Sequence, residues 1–90
     1  MDWRQCMNDL TFAMNKAGLR IIRVDYVRLY IETNKAVIYL LRNGSELTGL
    51  RCDECFGFGN MSRRYLLGPD KNTEELEDLL TYLKQIHKKG

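Results

Sequence analysis

The chain has 90 residues, of which 44% are hydrophobic and 29% charged, and its net charge is +2. This composition predicts one globular domain spanning residues 1–90, argues against a disordered chain and gives no basic excess of the kind that marks nucleic-acid binding. The longest unbroken apolar run, 36–41, is too short to cross a bilayer, and the polar first residues lack the apolar core of a secretory signal. We therefore expect a cytoplasmic protein without membrane contact, and the odd count of 3 cysteines fits a reducing compartment.

Residues 2–17 have the periodicity of an amphipathic helix. Their apolar residues recur at intervals of three and four and so fall on one face: Trp3, Met7, Leu10, Met14 and Ala17. Asp2 and Gln5 have the spacing of a capping box at the start of a helix. Gly18 is the residue type that most often ends a helix in a left-handed conformation. We predict a helix that ends at Gly18.

From residue 19 to residue 52 the apolar pattern changes to a period of two, which is typical of β-strands. The parity of the apolar positions reverses near Asp25–Tyr26, which requires a turn or a bulge there. Asn34–Lys35 and Asn43–Gly44 have the composition of hairpin turns. The segment between them, 36–42, is apolar on both faces, as a central strand is.

The last part of the chain predicts two further strands and a second helix. Residues 46–52 are expected to pair back on the central strand, and residues 63–67 form another short strand before a turn at 68–71. Asn72 begins the helix, whose inner stripe contains Leu76, Leu79, Leu80, Leu83 and His87. A helix, four or five antiparallel strands and a helix predict an α+β fold with both helices on one sheet face and the other face open.

The segment 26–31 predicts a partner-binding surface on that open face. Its aliphatic side chains are expected to face the core: Val27, Leu29 and Ile31. The opposite parity holds Tyr26, Arg28 and Tyr30, which we expect in one exposed row. Arg63 and Arg64 extend this surface from another predicted strand. Tyrosine and arginine are enriched in binding hot spots and also stack on bases, although an ordinary amphipathic sheet carries the same pattern.

Cys52 and Cys55 have the spacing of half a tetrahedral zinc site. The remaining candidate ligands are Cys6 and His87, one on each predicted helix. In the alternative arrangement, the Cys52 and Cys55 pairs of two chains share one zinc ion. The run from Cys52 to Gly59 resembles the cysteine-rich repeat of the DnaJ chaperones. In that family, the glycines of the repeat let the chain fold tightly around a zinc ion. DnaJ zinc domains have several such repeats, whereas this chain has one. Reduced thiols at a strand end and a thioredoxin-like dithiol are the other interpretations. We expect folding without metal or cofactor.

Signs of catalysis are weak in the sequence. The chain has 1 histidine, His87, at a helix end where a capping role is favoured. No helix start follows Gly57 and Gly59 to cradle a phosphate. We therefore predict that the protein is not an enzyme.

The leading hypothesis is a small regulator or inhibitor, of the kind encoded by phages and mobile elements, that binds another protein through the Tyr/Arg face. The alternatives are a nucleic-acid-binding module that uses the same surface, or a small zinc-stabilised domain. The sequence does not decide whether the chain forms a homodimer. The element order is similar to that of double-stranded RNA-binding domains, which place lysines at the start of the second helix. Here that region is acidic and would repel phosphates: Glu74, Glu75, Glu77 and Asp78.

Overall fold

The computed structural model describes residues 2–54, 62–66 and 72–88. Its elements in chain order are α1 (Trp3–Lys16), β1 (Ile21–Asp25), β2 (Tyr30–Thr33), β3 (Ala36–Asn43), β4 (Glu46–Glu54), β5 (Ser62–Leu66) and α2 (Asn72–Lys88). The predicted α+β fold is confirmed, with both helices and five antiparallel strands in the expected order. The turn predicted at 68–71 lies outside the described residues.

Local hydrogen bonds explain the two ends of α1. The Asp2 side chain accepts a hydrogen bond of 2.9 Å from the backbone N–H of Arg4 and so caps the helix. The predicted capping box is wrong in its second half, because the Gln5 amide donates to Asp9 at 3.1 Å instead. Gly18 has φ +82°, the left-handed conformation that the sequence predicts at the helix end.

The five strands form one meander in the order β1-β2-β3-β4-β5, so β1 and β5 are the edge strands. Both predicted hairpins are present. The first turns at Asn34–Lys35, and the second turns at Gly44–Ser45, one residue later than predicted, because Asn43 still pairs with Glu46. A bulge between Leu41 and Arg42 shifts the register of β3 on β4 by one residue. Because of this shift Tyr39 pairs with Arg51 and shares a face with it.

The core lies between one face of the sheet and the two helices. In β3 the side chains alternate: Ala36, Ile38 and Leu40 are buried and the intervening positions are half-exposed. The helices contribute buried residues from one stripe each: Cys6, Met7, Leu10 and Met14 from α1, and Leu79, Tyr82, Leu83 and Ile86 from α2. The prediction that both helices share one sheet face is therefore confirmed. None of the described helices or strands covers the opposite face, which we call the open face.

The chain turns sharply after β1, at residues 26–29. Oδ1 of Asp25 accepts hydrogen bonds from the backbone N–H groups of Val27 at 2.9 Å and Arg28 at 2.8 Å, which fix the turn. Leu29 has the left-handed φ of 59° and is only 6% exposed. Val27 is 89% exposed, so the prediction that Val27 faces the core is wrong. The predicted turn near Asp25 is confirmed. It takes up residues 26–29 and separates two strands, β1 and β2, instead of bending one continuous strand.

Within the described ranges, neither helix has the length and apolarity needed to span a bilayer.

Candidate functional site

The turn at 26–29 separates the three residues predicted to form one Tyr/Arg row. The Tyr26 hydroxyl donates to Oδ1 of Asn8 on α1 at 3.2 Å, so this side chain lies on the helix side of the sheet. Arg28 is exposed within the turn, and only Tyr30 lies in a strand, on the open face. The predicted arrangement is therefore wrong, because the Asp25 cap closes a turn where residue propensity favours an extended strand.

Arg63 and Arg64 are neighbours in β5 and lie on opposite faces of the sheet. The guanidinium of Arg63 lies 4.1 Å from the ring centre of Tyr82 on α2, which places Arg63 on the helix side. Arg64 pairs in register with Arg51 of β4 and is exposed on the open face. The structure thus keeps Arg64 on the predicted surface and removes Arg63 from it.

A row of side chains crosses all five strands of the open face, with one residue from each strand. Successive register pairs connect its members: Asp25, Tyr30, Tyr39, Arg51 and Arg64. The rings of Tyr30 and Tyr39 are 6.0 Å apart between centroids. The guanidinium of Arg51 lies 4.5 Å from the ring centre of Tyr39, a favourable cation–π distance. We call this set the Tyr/Arg row.

Polar contacts on either side of the row hold its side chains in place. Nη1 of Arg23 on β1 lies 3.4 Å from the Tyr30 hydroxyl, and this contact raises the pKa of the Arg23 guanidinium above its ordinary value. Nε of Arg51 lies 3.3 Å from Oδ2 of Asp53, whose other oxygen accepts a hydrogen bond of 2.6 Å from Ser62. Because Arg51 is held by both a ring and a carboxylate, binding through it costs less conformational entropy than binding through a free arginine.

Among the described residues, the open face carries both signs of charge. Strand register and parity place guanidinium groups and carboxylates there: Arg23, Arg51, Arg64, Asp25, Glu32, Glu46 and Asp53. The pKa of the Asp25 carboxyl is lowered, mainly because it accepts the backbone N–H of Arg28, which favours its charged form. The face therefore has no field of one sign.

Tyr39 and Arg51 belong to the row but were not among the candidates from the sequence. Segment 36–42 reads as apolar on both faces, which hides the alternation that exposes Tyr39. The position of Arg51 depends on the bulge in the β3–β4 hairpin. The sequence contained one signal for that bulge: Leu47 and Leu50 are both apolar although they are three residues apart in a strand, a spacing that puts side chains on opposite faces. In the structure both side chains are buried.

The four candidate metal ligands do not converge in the part of the chain that the structure describes. Cys6 and Cys52 are 0% exposed, and burial raises the pKa of the Cys6 thiol to about 12. His87 lies beside residues 17–19 at the far end of α1, roughly 16 Å along the helix axis from Cys6. Within the described residues, no three His, Cys, Asp or Glu side chains form a group able to hold a metal ion. Cys55 lies outside the described residues.

His87 has a structural role that both of its ring nitrogens satisfy. Nδ1 lies 2.7 Å from the backbone oxygen of Leu83, to which it must donate. Nε2 lies 2.7 Å from Oγ1 of Thr33, which is 2% exposed. The prediction that His87 caps the end of α2 agrees with the first contact, and neither nitrogen is free to bind zinc.

No family model, curated protein or solved structure matches this chain.

Proposed function

We propose that this chain is a protein-binding module, a small non-enzymatic regulator or inhibitor, that captures another protein on the open face of its sheet. The observation that supports the proposal is the Tyr/Arg row, in which Tyr30, Tyr39 and Arg51 lie side by side on three neighbouring strands. Tyrosine and arginine are the residue types that dominate the binding energy of protein interfaces. We place this activity in the cytoplasm, as the cysteine count suggests.

The charge balance of the open face favours a protein partner over a nucleic acid. A phosphate backbone needs a net positive surface, because its binding energy comes largely from cation contacts that release counterions. Here the carboxylates of Glu32 and Asp53 lie between the arginines and would repel phosphates. A protein surface with both signs of charge has no such conflict.

The composition of the face also favours a partner of complementary chemistry. Val37 and Leu41 on β3 are half-exposed beside the two tyrosines and provide an apolar centre. Arg64 is exposed at one end of the row and, among the described residues, has no ring contact like the one that holds Arg51. We therefore expect a partner with an apolar patch that packs on the tyrosines and a carboxylate that pairs with Arg64.

Site-specific crosslinking in cells of the source organism tests this proposal. A photo-crosslinking amino acid replaces Val37 on the open face, and a matched control carries it at Thr81, which is exposed on α2. We expect one defined protein to crosslink at position 37 and not at position 81, with no change after nuclease treatment. Arg64→Ala in the same background should reduce the yield of that product. Crosslinks to nucleic acid at position 37, or the same products at both positions, would contradict the proposal.

A further inference from the structure

The large hydrophobic side chains that are exposed in the described residues gather along one edge of the molecule. Ile22, Tyr26 and Val27 lie in or directly after the edge strand β1 and are 58%, 49% and 89% exposed. Phe12 on α1 is 70% exposed and lies one helical turn after Asn8, which accepts the Tyr26 hydrogen bond. Phe12 therefore shares the face of α1 that borders β1. An apolar patch of this kind marks an interaction surface.

The charges of β1 are complementary to those of an antiparallel copy of itself. Arg23 precedes Val24 and Asp25 follows it. If two β1 strands pair antiparallel about Val24, the Arg23 of each copy lies opposite the Asp25 of the other, and the two Val24 side chains face each other. Pairing about Arg23 would instead place two guanidinium groups in opposition, which is destabilising. Charge therefore selects one register.

The other edge of the sheet does not suit a second copy. β5 (Ser62–Leu66) contains Arg63 and Arg64 and no carboxylate, so two antiparallel β5 strands would bring like charges together. Charged residues of one sign on an edge strand are a common protection against such pairing. Among the side chains that the structure describes, those of the β1 edge combine exposed apolar groups with self-complementary charge.

We infer that the chain forms a homodimer in which β1 pairs antiparallel with β1 of a second copy, in the register centred on Val24. The bulge between Ile21 and Arg23 limits the pairing to a short segment ending at Asp25. The rest of the interface is apolar, with Phe12 packed against α1 of the other copy on the helix side. The pairing uses Arg23 and Asp25 at the edge of the open face and leaves the other members of the Tyr/Arg row uncovered, so this inference does not depend on the proposed function.

The mass in solution tests the dimer. Sedimentation equilibrium from low micromolar to near-millimolar concentration should approach twice the chain mass of 10.6 kDa. Arg23→Glu places a carboxylate opposite Asp25 of the other copy and should give a monomer. Arg64→Glu makes the same change on the other edge strand and should leave the dimer intact. A wild-type chain that is monomeric at every concentration, or a dimer that both variants weaken equally, would overturn the inference.

A mixing experiment tests the register. Asp25→Lys alone should also be monomeric, because two cations then lie opposite each other. In an equimolar mixture of Arg23→Glu and Asp25→Lys, both cross-strand pairs are again of opposite sign, and the mixture should form a heterodimer. Because Asp25→Lys also loses the turn cap, circular dichroism must first show that this variant folds.

Phe12→Ser, a change at an exposed helix position outside the core, gives a second test of the interface. It should lower the dimer affinity at least tenfold, and an unchanged affinity would contradict the interface.

Discussion

Oγ1 of Thr33 and Nε2 of His87 lie 2.7 Å apart, although the two residues are 54 positions apart in the chain. The same Thr33 oxygen accepts the backbone N–H groups of Lys35 at 3.2 Å and Ala36 at 3.1 Å. One buried hydroxyl thus closes the turn between β2 and β3 and attaches the end of α2 to it. This contact fixes the end of α2 on the helix side of the sheet.

Replacing Thr33 by Val should destabilise the fold by about 1–3 kcal/mol, because two buried N–H groups and a ring nitrogen then lose their partner. Thr33→Ser keeps the hydroxyl and serves as the control. Urea denaturation followed by circular dichroism measures both variants. If the valine variant were as stable as the serine variant, the hydroxyl would not have this role.

The turn after β1 should depend on Asp25 and on pH. Asp25→Ala removes the acceptor for two backbone N–H groups and should lower the melting temperature, while Asp25→Asn keeps an oxygen in place and should lower it less. Since the pKa of Asp25 is lower in the folded state, its charge stabilises the fold above the unfolded pKa of about 3.9. That contribution is lost as the pH falls through the folded value.

The pH dependence has a direct readout in thermal melts of the wild type and Asp25→Asn. The difference in stability between them should be constant at neutral pH and should shrink as the pH falls below about 4. A difference that is independent of pH over this range would show that the carboxylate charge has no part in the turn.

The same turn marks the limit of what the sequence could predict about the fold. The two hairpins, with turns at Asn34–Lys35 and Gly44–Ser45, follow from local turn chemistry, and so they were predictable to within one residue. The segment Val27–Leu29 has no glycine and favours a strand by propensity, yet it forms a turn. The Asp25 cap is a local reason that marks the start of the turn, and two further reasons are tertiary: Leu29 is buried in a left-handed conformation, and Tyr26 bonds to Asn8 on α1. Such contacts override propensity and leave no pattern in the sequence.

Alanine substitutions should show which side of the turn is packed. Leu29→Ala removes a side chain that is 6% exposed and should cost about 2–5 kcal/mol of folding free energy. Val27→Ala changes a side chain that is 89% exposed and should cost under about 0.5 kcal/mol. Chemical denaturation compares the two directly. The reverse order would mean that the faces of this segment are inverted.

The buried thiols should be unreactive while the protein is folded. The variant Cys55→Ser leaves only Cys6 and Cys52, which are 0% exposed. Because burial raises the pKa of Cys6 to about 12, almost no thiolate forms there at pH values near 8. We expect no reaction with a thiol reagent in native buffer and two equivalents in urea. One rapidly reacting equivalent in native buffer would contradict this burial.

The candidate site was predictable in composition and less so in position. Tyr30 was assigned to the open face by strand parity, and Arg64 was assigned to it together with Arg63 by residue type; Tyr30 and Arg64 lie there. Tyr39 was missed because segment 36–42 reads as apolar on both faces, and Arg51 was missed because its pairing with Tyr39 needs the bulge between Leu41 and Arg42. A shift of one residue moves every later side chain to the other face, so a single undetected bulge is enough to hide a member of a surface row.

The pair Arg63 and Arg64 offers the most direct measurement of the central claim, that the open face binds a partner protein. The two residues are adjacent and carry the same charge, but Arg63 lies over Tyr82 on the helix side and Arg64 lies in the Tyr/Arg row. Isothermal titration calorimetry with the crosslinked partner should show a loss of about 2 kcal/mol, roughly thirtyfold in Kd, for Arg64→Ala. Arg63→Ala should leave the affinity within about twofold of the wild type. Equal losses for both variants, or a loss for Arg63→Ala alone, would contradict binding through the open face.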